Sequence, residues 1–124
     1  MEKTTIVTAD EVLAAVGKDA PFVRDADYRV SVARRDGPGE VEIHETETDV
    51  FYVLGGIAKL TTGGTARDTH SVAQGEIRGT SIEGGETRSV FKGDVIVIPR
   101  AVPHWFLEVT EAPFVYLVVK VTHH

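Results

Sequence analysis

The sequence predicts an all-β protein, either a sandwich or a barrel, with one short helix near the N-terminus. Short apolar runs such as V-F-Y-V-L and V-I-V-I recur along the chain, and glycine-rich turn signals separate them. Short strands with regular turns are typical of antiparallel sandwiches and barrels. The chain has 124 residues, enough for one domain with a substantial core and too few for two.

The only helix signal lies close to the start of the chain. The stretch from Thr8 to Glu11 reads T-A-D-E, the capping-box pattern in which threonine caps the helix and glutamate reaches back to it. An apolar segment follows, and Gly17 is a typical stop. We therefore expect residues 1–24 to form an N-terminal arm with a short helix, and residues 25–121 to form the β-domain.

Turn signals divide that β-domain into strands. The segment D-G-P-G at 36–39 separates two predicted strands, and Gly55-Gly56, Gly63-Gly64 and Gly84-Gly85 are predicted to be further turns. None of these glycine pairs is followed by the Lys-Ser/Thr of a phosphate-binding loop. The polar stretch from Thr65 to Ser81 is predicted to be a long loop or an irregular hairpin.

Composition and charge exclude several classes of function. Thirteen Lys and Arg against nineteen Asp and Glu give a formal net charge of -6, which disfavours binding to nucleic acid. There is no cysteine, so disulfides, thiolate zinc sites and cysteine nucleophiles are excluded. The absence of cysteine and of an apolar leader favours a cytoplasmic protein. No apolar run approaches the roughly 20 residues of a membrane span.

Two strand-like segments carry ligand-type side chains with matching parity. Successive side chains of a strand alternate between its faces, so Glu42 and His44 share one face. Asp49 follows on the next predicted strand and His104 on a strand far along the chain. If these strands are neighbours in one small barrel, two imidazoles and up to two carboxylates converge, which is a metal site.

The same alternation leaves other arrangements open. Val41 and Ile43 could face the core instead and leave Glu42 and His44 in solvent. Asp49 could ligate a metal or cap a turn. Glu42 could be a fourth ligand, a general base beside the metal, or an exposed carboxylate.

Further side chains share faces with these candidate ligands. Phe51, Val53, Phe106 and Tyr116 are predicted to line an apolar pocket for a small molecule, although each could equally pack in the core. Glu108 lies an even number of residues after His104 and is predicted to point inward, as a proton-transfer group or a hydrogen-bond partner of His104, unless it simply lies at the solvated end of the strand. His70 is expected to be exposed to solvent. Arg78 and Arg100 are expected near the mouth of the barrel, where each could pair with a substrate carboxylate or simply be a surface arginine.

The first of the two segments resembles the first motif of the cupin superfamily, G(x)5HxH(x)3-4E(x)6G. Glu42 stands where the first histidine would be, His44 matches the second, and Asp49 takes the place of the glutamate. Six residues then lead to Gly56. The leading glycine is displaced, since Gly39 lies too close to Glu42.

The second segment resembles the second cupin motif, G(x)5PxG(x)2H(x)3N. Gly93, Pro99 and His104 match at the right spacing, whereas Ala101 replaces the inner glycine and Glu108 the asparagine. The resemblance covers roughly residues 25 to 121 and implies a double-stranded β-helix, or jelly-roll barrel. It also implies a divalent metal, such as Fe, Mn, Zn or Ni, held by His44, Asp49, His104 and Glu42.

Members of this superfamily differ in activity, so the resemblance leaves several functions open. The first is a metal-dependent enzyme acting on a small organic molecule, with dioxygenase, isomerase or lyase chemistry. The second is a non-catalytic metal- or ligand-binding module. The third is a metal-free enzyme that uses His44 and His104 as acid and base. Strands that are apolar on both faces, such as V-I-V-I, further predict a homodimer.

Overall fold

The computed structural model describes residues 3–124. The structure is predominantly β, as predicted, with one short helix preceding the strands. In chain order the elements are α1 (Ala9–Ala15), β1 (Val23–Arg24), β2 (Tyr28–Arg35), β3 (Val41–His44), β4 (Glu47–Thr62), β5 (Thr65–Arg67), β6 (His70–Ala73), β7 (Glu76–Gly79), β8 (Ser81–Glu83), β9 (Glu86–Val90), β10 (Val95–Ile98) and β11 (His104–Thr122).

The helix forms where its capping signal predicts it. The Thr8 side chain accepts a hydrogen bond from the backbone N–H of Glu11, whose carboxylate reaches back to the Thr8 backbone. Gly17 follows the helix with a φ of +82°. Helix α1 buries none of its side chains, and Leu13 is 71% exposed. No helix in residues 3–124 is long and apolar enough to cross a membrane.

Two long strands, β4 and β11, organise the sheet. The first half of β4, up to Gly55, pairs with the second half of β11, from Val115 onward, and β10, β2 and β1 extend this first layer. The second half of β4 pairs with the first half of β11, and β9, β3, β7 and β6 extend this second layer. Strands β5 and β8 form a separate two-stranded sheet. This is the predicted jelly-roll arrangement, although the hydrogen bonds within residues 3–124 do not close the sheet into a barrel.

The Gly55-Gly56 pair, predicted to be a turn, instead lies inside the continuous strand β4. Gly56 has a φ of +79°, and a Cβ there would collide with the backbone carbonyl groups of Glu111 and Pro113 on β11. Glycine at this point therefore lets β4 pass from one layer to the other while staying close to β11. The other two glycine pairs lie at turns, as predicted.

The core lies between the two layers and is built around aromatic rings. Phe51 in the first layer lies 5.9 Å from Phe106 in the second and 4.9 Å from Tyr116, measured between ring centroids. Phe106 and Phe114 are 5.3 Å apart. Rings at these distances pack favourably beyond the area that they bury. The core side chains therefore fix the two layers, and the strand ends beside them, relative to each other.

The outer face of the first layer carries apolar side chains that the described residues leave exposed. Val95 and Val97 are 64% and 60% exposed, whereas Ile98 is buried. Tyr52, which pairs with Val95, is also exposed. Within residues 3–124, the V-I-V-I strand is thus covered on one face only.

Candidate metal centre

Three strands bring the candidate ligands to one end of the core. Strand β3 carries Glu42 and His44, β4 carries Asp49, and β11 begins at His104, which pairs with Glu42. The loop before β11 is fixed by Ala101, whose N–H donates to the His44 carbonyl oxygen at 2.7 Å. Ala101 has a φ of +67°, a conformation that usually favours glycine.

The structure brings His44, Asp49 and His104 together as a buried group. The Nε2 atoms of His44 and His104 lie 3.4 and 3.6 Å from Oδ2 of Asp49. All three ligand atoms lie within 4.8 Å of one another. Two atoms that are each about 2.1 Å from a tetrahedral metal are about 3.4 Å apart. The separations from Asp49 therefore fit a shared cation.

Both histidines use Nδ1 for a hydrogen bond away from the centre and direct Nε2 towards Asp49. His44 donates from Nδ1 to the carboxylate of Glu76, at 2.7 and 2.9 Å. His104 donates from Nδ1 to the carbonyl oxygen of Val102 at 3.2 Å. A neutral imidazole that donates from one nitrogen presents a lone pair at the other, which is Nε2 in both residues.

Asp49 completes this donor set. Its side chain is 1% exposed, and Oδ2 has no hydrogen-bond partner among residues 3–124. A buried carboxylate oxygen without a partner is costly unless a cation satisfies it. Oδ2 is the atom that faces both Nε2 atoms, so the residues present fit a divalent metal.

The protonation state of His104 agrees with a role as a metal ligand. Burial lowers the pKa of His104 and outweighs the raising effect of Asp49. The imidazole is then neutral at pH 7, the form that binds metals.

Glu42 lies beside this group, held by two arginines. Its carboxylate is 3.0 Å from Arg35 and 3.5 Å from Arg78, and its nearest approach to Nε2 of His44 is 3.8 Å. Burial by itself raises the pKa of Glu42, but interactions with His104 and the two guanidinium groups outweigh it, so the pKa is lowered. Glu42 is thus a half-buried, ionised carboxylate, and the reading in which it is an exposed strand residue is wrong.

Two charged residues of the site, Glu76 and Lys120, were not identified from the sequence, whereas Arg78 was considered only as a residue of the mouth. Glu76 and Arg78 lie on β7, inside the polar stretch that was predicted to be a loop or irregular hairpin, and β7 pairs with β3 so that Glu76 lies opposite His44. The alternation of Glu76, Ile77 and Arg78 is the signal that would have indicated a strand.

Lys120 lies on β11, opposite Asp49 on β4. Its Nζ donates to Oδ1 of Asp49 at 2.7 Å and lies 3.4 Å from Nε2 of His44. Lys120 is two residues from Val118 and four from Tyr116 on the last strand, so alternation would have indicated that its side chain points inward with theirs. Without the pairing of β11 with β4, nothing in the sequence connects Lys120 with Asp49.

Glu108 is not part of the site, contrary to the prediction. Its side chain is 52% exposed and pairs with Lys59 on the surface at 3.2 Å. The pairing of β11 with β4 shifts register between Phe106 and Glu108. Such a bulge ends the strict alternation of faces, so the parity of His104 does not carry through to Glu108.

The predicted apolar pocket is also corrected. Phe51, Val53 and Phe106 are buried in the core and do not line the cavity next to the site. That cavity has a volume of about 500 Å³ and lies beside β2 and the segment that follows α1. It reaches Arg35, Tyr116 and Lys120, so Tyr116 alone of the four predicted pocket residues lines it.

The lining of the cavity beside β2 is predominantly cationic. Six Lys or Arg side chains and one acidic side chain, Asp19, line it; the cations are Lys18, Arg24, Arg29, Arg34, Arg35 and Lys120. Four of these cations pair with carboxylates outside the lining, which compensate much of their charge; they are Arg29, Arg34, Arg35 and Lys120. Arg35 donates from Nε to the Tyr116 hydroxyl oxygen at 3.0 Å, which leaves the phenolic hydrogen free to donate elsewhere. A second cavity, of about 440 Å³, lies between β9 and β10 and contains none of the candidate ligands.

Comparison with known proteins agrees with this fold. The family profile described as Cupin matches residues 28–124. Comparison with curated proteins finds no match. Among solved structures, a double-stranded β-helix protein from Klebsiella pneumoniae is 18% identical, with a TM-score of 0.62, and the match covers 98% of this chain and 93% of that chain.

Two enzymes are also among the similar structures. Hydroquinone 1,2-dioxygenase from Sphingomonas sp. TTNP3, with 4-hydroxybenzoate bound, is 15% identical with a TM-score of 0.60, over 100% of this chain and 82% of that chain. A DMSP lyase from Ruegeria pomeroyi is 20% identical with a TM-score of 0.55, over 86% of this chain and 43% of that chain. At these identities the likeness shows the fold alone.

Proposed function

This chain belongs to the cupin family, and we propose that it is a metal-dependent enzyme acting on a small, negatively charged organic molecule. The metal would be held by His44, Asp49 and His104. The observation that carries the proposal is the pair of histidines whose Nδ1 atoms are hydrogen-bonded and whose Nε2 atoms face Oδ2 of Asp49, an atom that no hydrogen bond from the described part of the chain satisfies.

The donor set indicates the class of metal. Two imidazole nitrogens and one carboxylate oxygen, without sulfur, suit Fe, Mn, Zn or Ni, and two histidines with one carboxylate are typical of non-haem Fe(II). Asp49 is one methylene shorter than the glutamate of the motif, but its Oδ2 atom lies only 3.4 and 3.6 Å from the Nε2 atoms of His44 and His104. A divalent metal held there would polarise a ligand oxygen or activate water or O₂.

The surroundings of Glu42 favour an enzyme over a closed binding module. In a closed site Glu42 would occupy a further coordination position. Its carboxylate instead pairs with Arg35 and Arg78. Two guanidinium partners stabilise Glu42 beside the metal position and leave positions open for a substrate, as catalytic sites require.

Two side chains of this chain would act directly on the substrate. Glu42, ionised and oriented by its arginines, would accept a proton or a hydrogen bond from the substrate. Tyr116 would donate one, because burial raises the pKa of Tyr116 and keeps the phenol protonated. Arg35 touches both residues and would fix their positions relative to each other.

The charge around the centre supports a negatively charged substrate. Four carboxylates each pair with one of four cations; the pairs are Arg29 with Glu47, Arg35 with Glu42, Arg78 with Glu76, and Lys120 with Asp49. A divalent metal adds two positive charges to this balanced cluster. A carboxylate or enolate entering through the cationic cavity beside β2 would compensate them.

Metal analysis tests the first part of this proposal. The protein should be purified without chelators or immobilised metal, and its metal content measured by mass spectrometry for the wild type and for His44→Ala, His104→Ala and His70→Ala. We expect near-stoichiometric metal in the wild type and in His70→Ala, because His70 is exposed on β6, and loss of metal in the other two. Equal metal content in all four would overturn the metal centre.

A second measurement separates an open site from a closed one. Co²⁺ bound to the wild-type protein should show an absorption spectrum that changes when a small carboxylate is added. A spectrum that no added ligand alters would favour the non-catalytic binding module. Absence of any bound metal, with loss of ligand binding in His44→Ala and His104→Ala, would favour the metal-free acid–base alternative.

A further inference from the structure

Lys120 shares its two closest partners with the proposed metal. Its Nζ lies 2.7 Å from Oδ1 of Asp49 and 3.4 Å from Nε2 of His44. These are two of the three residues that would hold the metal. No other lysine or arginine of the described chain forms an ion pair with Asp49.

The His44 contact cannot be shared. Nδ1 of His44 carries the hydrogen that is donated to Glu76, so Nε2 offers a single lone pair. An ammonium N–H and a metal ion both need that lone pair. In addition, two positive charges held a few ångströms apart in a buried site repel each other strongly.

The Asp49 contact explains why a lysine lies there. A carboxylate that is 1% exposed requires a positive partner, since an unpaired buried charge is strongly destabilising. A metal on Oδ2 would provide the same compensation. The lysine and the metal can therefore replace each other as the partner of Asp49.

We propose that Lys120 and the metal ion occupy the centre in exchange for one another: metal binding at His44, Asp49 and His104 displaces the Lys120 ammonium group. The displaced group moves into the cavity beside β2, which its side chain already lines. It then adds one positive charge to the walls that would receive an anionic substrate. This inference rests on the proposed metal centre.

The affinity for metal tests the exchange. Co²⁺ affinity should be measured by competition with a chelator for the wild type, Lys120→Met and Lys59→Met. Lys59 is the matched control, because it is a surface lysine of β4 that pairs with Glu108. We expect Lys120→Met to bind Co²⁺ at least about tenfold more tightly, since the competing cation is removed, and Lys59→Met to change less than about twofold. Equal or weaker binding by Lys120→Met would overturn the exchange.

Chemical labelling of the wild-type protein tests the same inference without a substitution, in case Lys120→Met does not fold. Lysines are acetylated briefly with and without saturating Co²⁺, and each site is quantified by peptide mass spectrometry. We expect labelling of Lys120 to rise severalfold with metal, while labelling of Lys59 stays constant. Unchanged or lower labelling of Lys120 with bound Co²⁺ would overturn the exchange, whereas failure of Co²⁺ to bind any variant would instead overturn the metal centre.

Discussion

His44 and Glu76 form a paired side-chain contact between neighbouring strands, with Nδ1 of His44 at 2.7 and 2.9 Å from the two carboxylate oxygens. The carboxylate can only accept, so the imidazole donates from Nδ1, and the neutral tautomer with this hydrogen has its lone pair at Nε2. This contact fixes both the tautomer and the direction of the ring. If the proposed metal is held at Nε2, Glu76 would influence metal affinity from the other side of the ring.

Replacing Glu76 should therefore weaken metal binding without abolishing it. We expect Glu76→Gln to lower Co²⁺ or Zn²⁺ affinity about 10- to 100-fold, as for other carboxylate partners of ligating histidines. Competition with a chelator measures the change. Glu86→Gln, an exposed glutamate on β9, is the control, and an equal affinity of the two variants would contradict the role given to Glu76.

The two glycines inside β4 should differ sharply in their tolerance of a methyl group. Gly56→Ala should lower the free energy of unfolding by about 2–4 kcal/mol, because positive φ alone costs about 1–2 kcal/mol and the Cβ also meets backbone carbonyl groups of β11. Gly55→Ala has open space at the Cβ position. Its free energy of unfolding should change by less than about 1 kcal/mol. Urea denaturation compares them, and equal effects would contradict the close approach of β4 and β11.

The contribution of Tyr116 to stability should depend on pH in the alkaline range. Burial raises the pKa of Tyr116 in the folded protein, whereas a tyrosine in the unfolded chain has a pKa of about 10. Its stabilisation is therefore fully present below about pH 10 and is lost as the pH rises towards the folded pKa.

Tyr116→Phe tests this dependence. At pH 8 the variant should lose about 1 kcal/mol of unfolding free energy, because the hydrogen bond from Arg35 is removed. Above about pH 10 the difference from the wild type should shrink. Denaturation at both pH values measures the change, with Tyr52→Phe, an exposed tyrosine, as the control. A difference that stays constant with pH would contradict the raised pKa.

The cationic cavity should discriminate ligands by charge. Benzoate and benzamide have nearly the same shape, and we expect the Co²⁺-loaded protein to bind benzoate at least about tenfold more tightly. Arg24 lies at the exposed rim of the cavity, and Arg24→Gln should lower the affinity for benzoate a few fold while leaving the affinity for benzamide unchanged. Absorption changes of bound Co²⁺ report binding. Equal affinity for both ligands would contradict a negatively charged substrate.

The exposed apolar face of the first layer should join two copies of this chain. Val95 and Val97 lie next to Tyr52 on one outward face, and a second copy with the same face would cover it. We expect light scattering to give a dimeric mass for the wild type and a monomeric mass for Val97→Asp. Val72→Asp, an exposed valine on β6, should remain dimeric. A monomeric wild type would contradict the homodimer.

Local rules in the sequence predicted much of the fold and part of the site. The capping box of α1 formed because its partners are three residues apart. The inward direction of Asp49 follows from regular alternation, since β4 is regular from Asp49 to Val53. The cupin spacing selected the reading in which His44 and His104 converge. The same reasoning did not predict that the Glu108 side chain points into solvent, because a bulge after Phe106 changes the direction of the following side chains.

The residues themselves determined a jelly-roll domain with two histidines and an aspartate positioned for a metal, because strand alternation and motif spacing act over a few neighbouring positions. Only the tertiary structure decided which charges surround those ligands. Glu76 meets His44 through the pairing of β3 with β7, and Lys120 meets Asp49 through the pairing of β4 with β11, across 32 and 71 positions of chain. Pairing between distant strands depends on the packing of the whole core, and the sequence near either residue does not encode it.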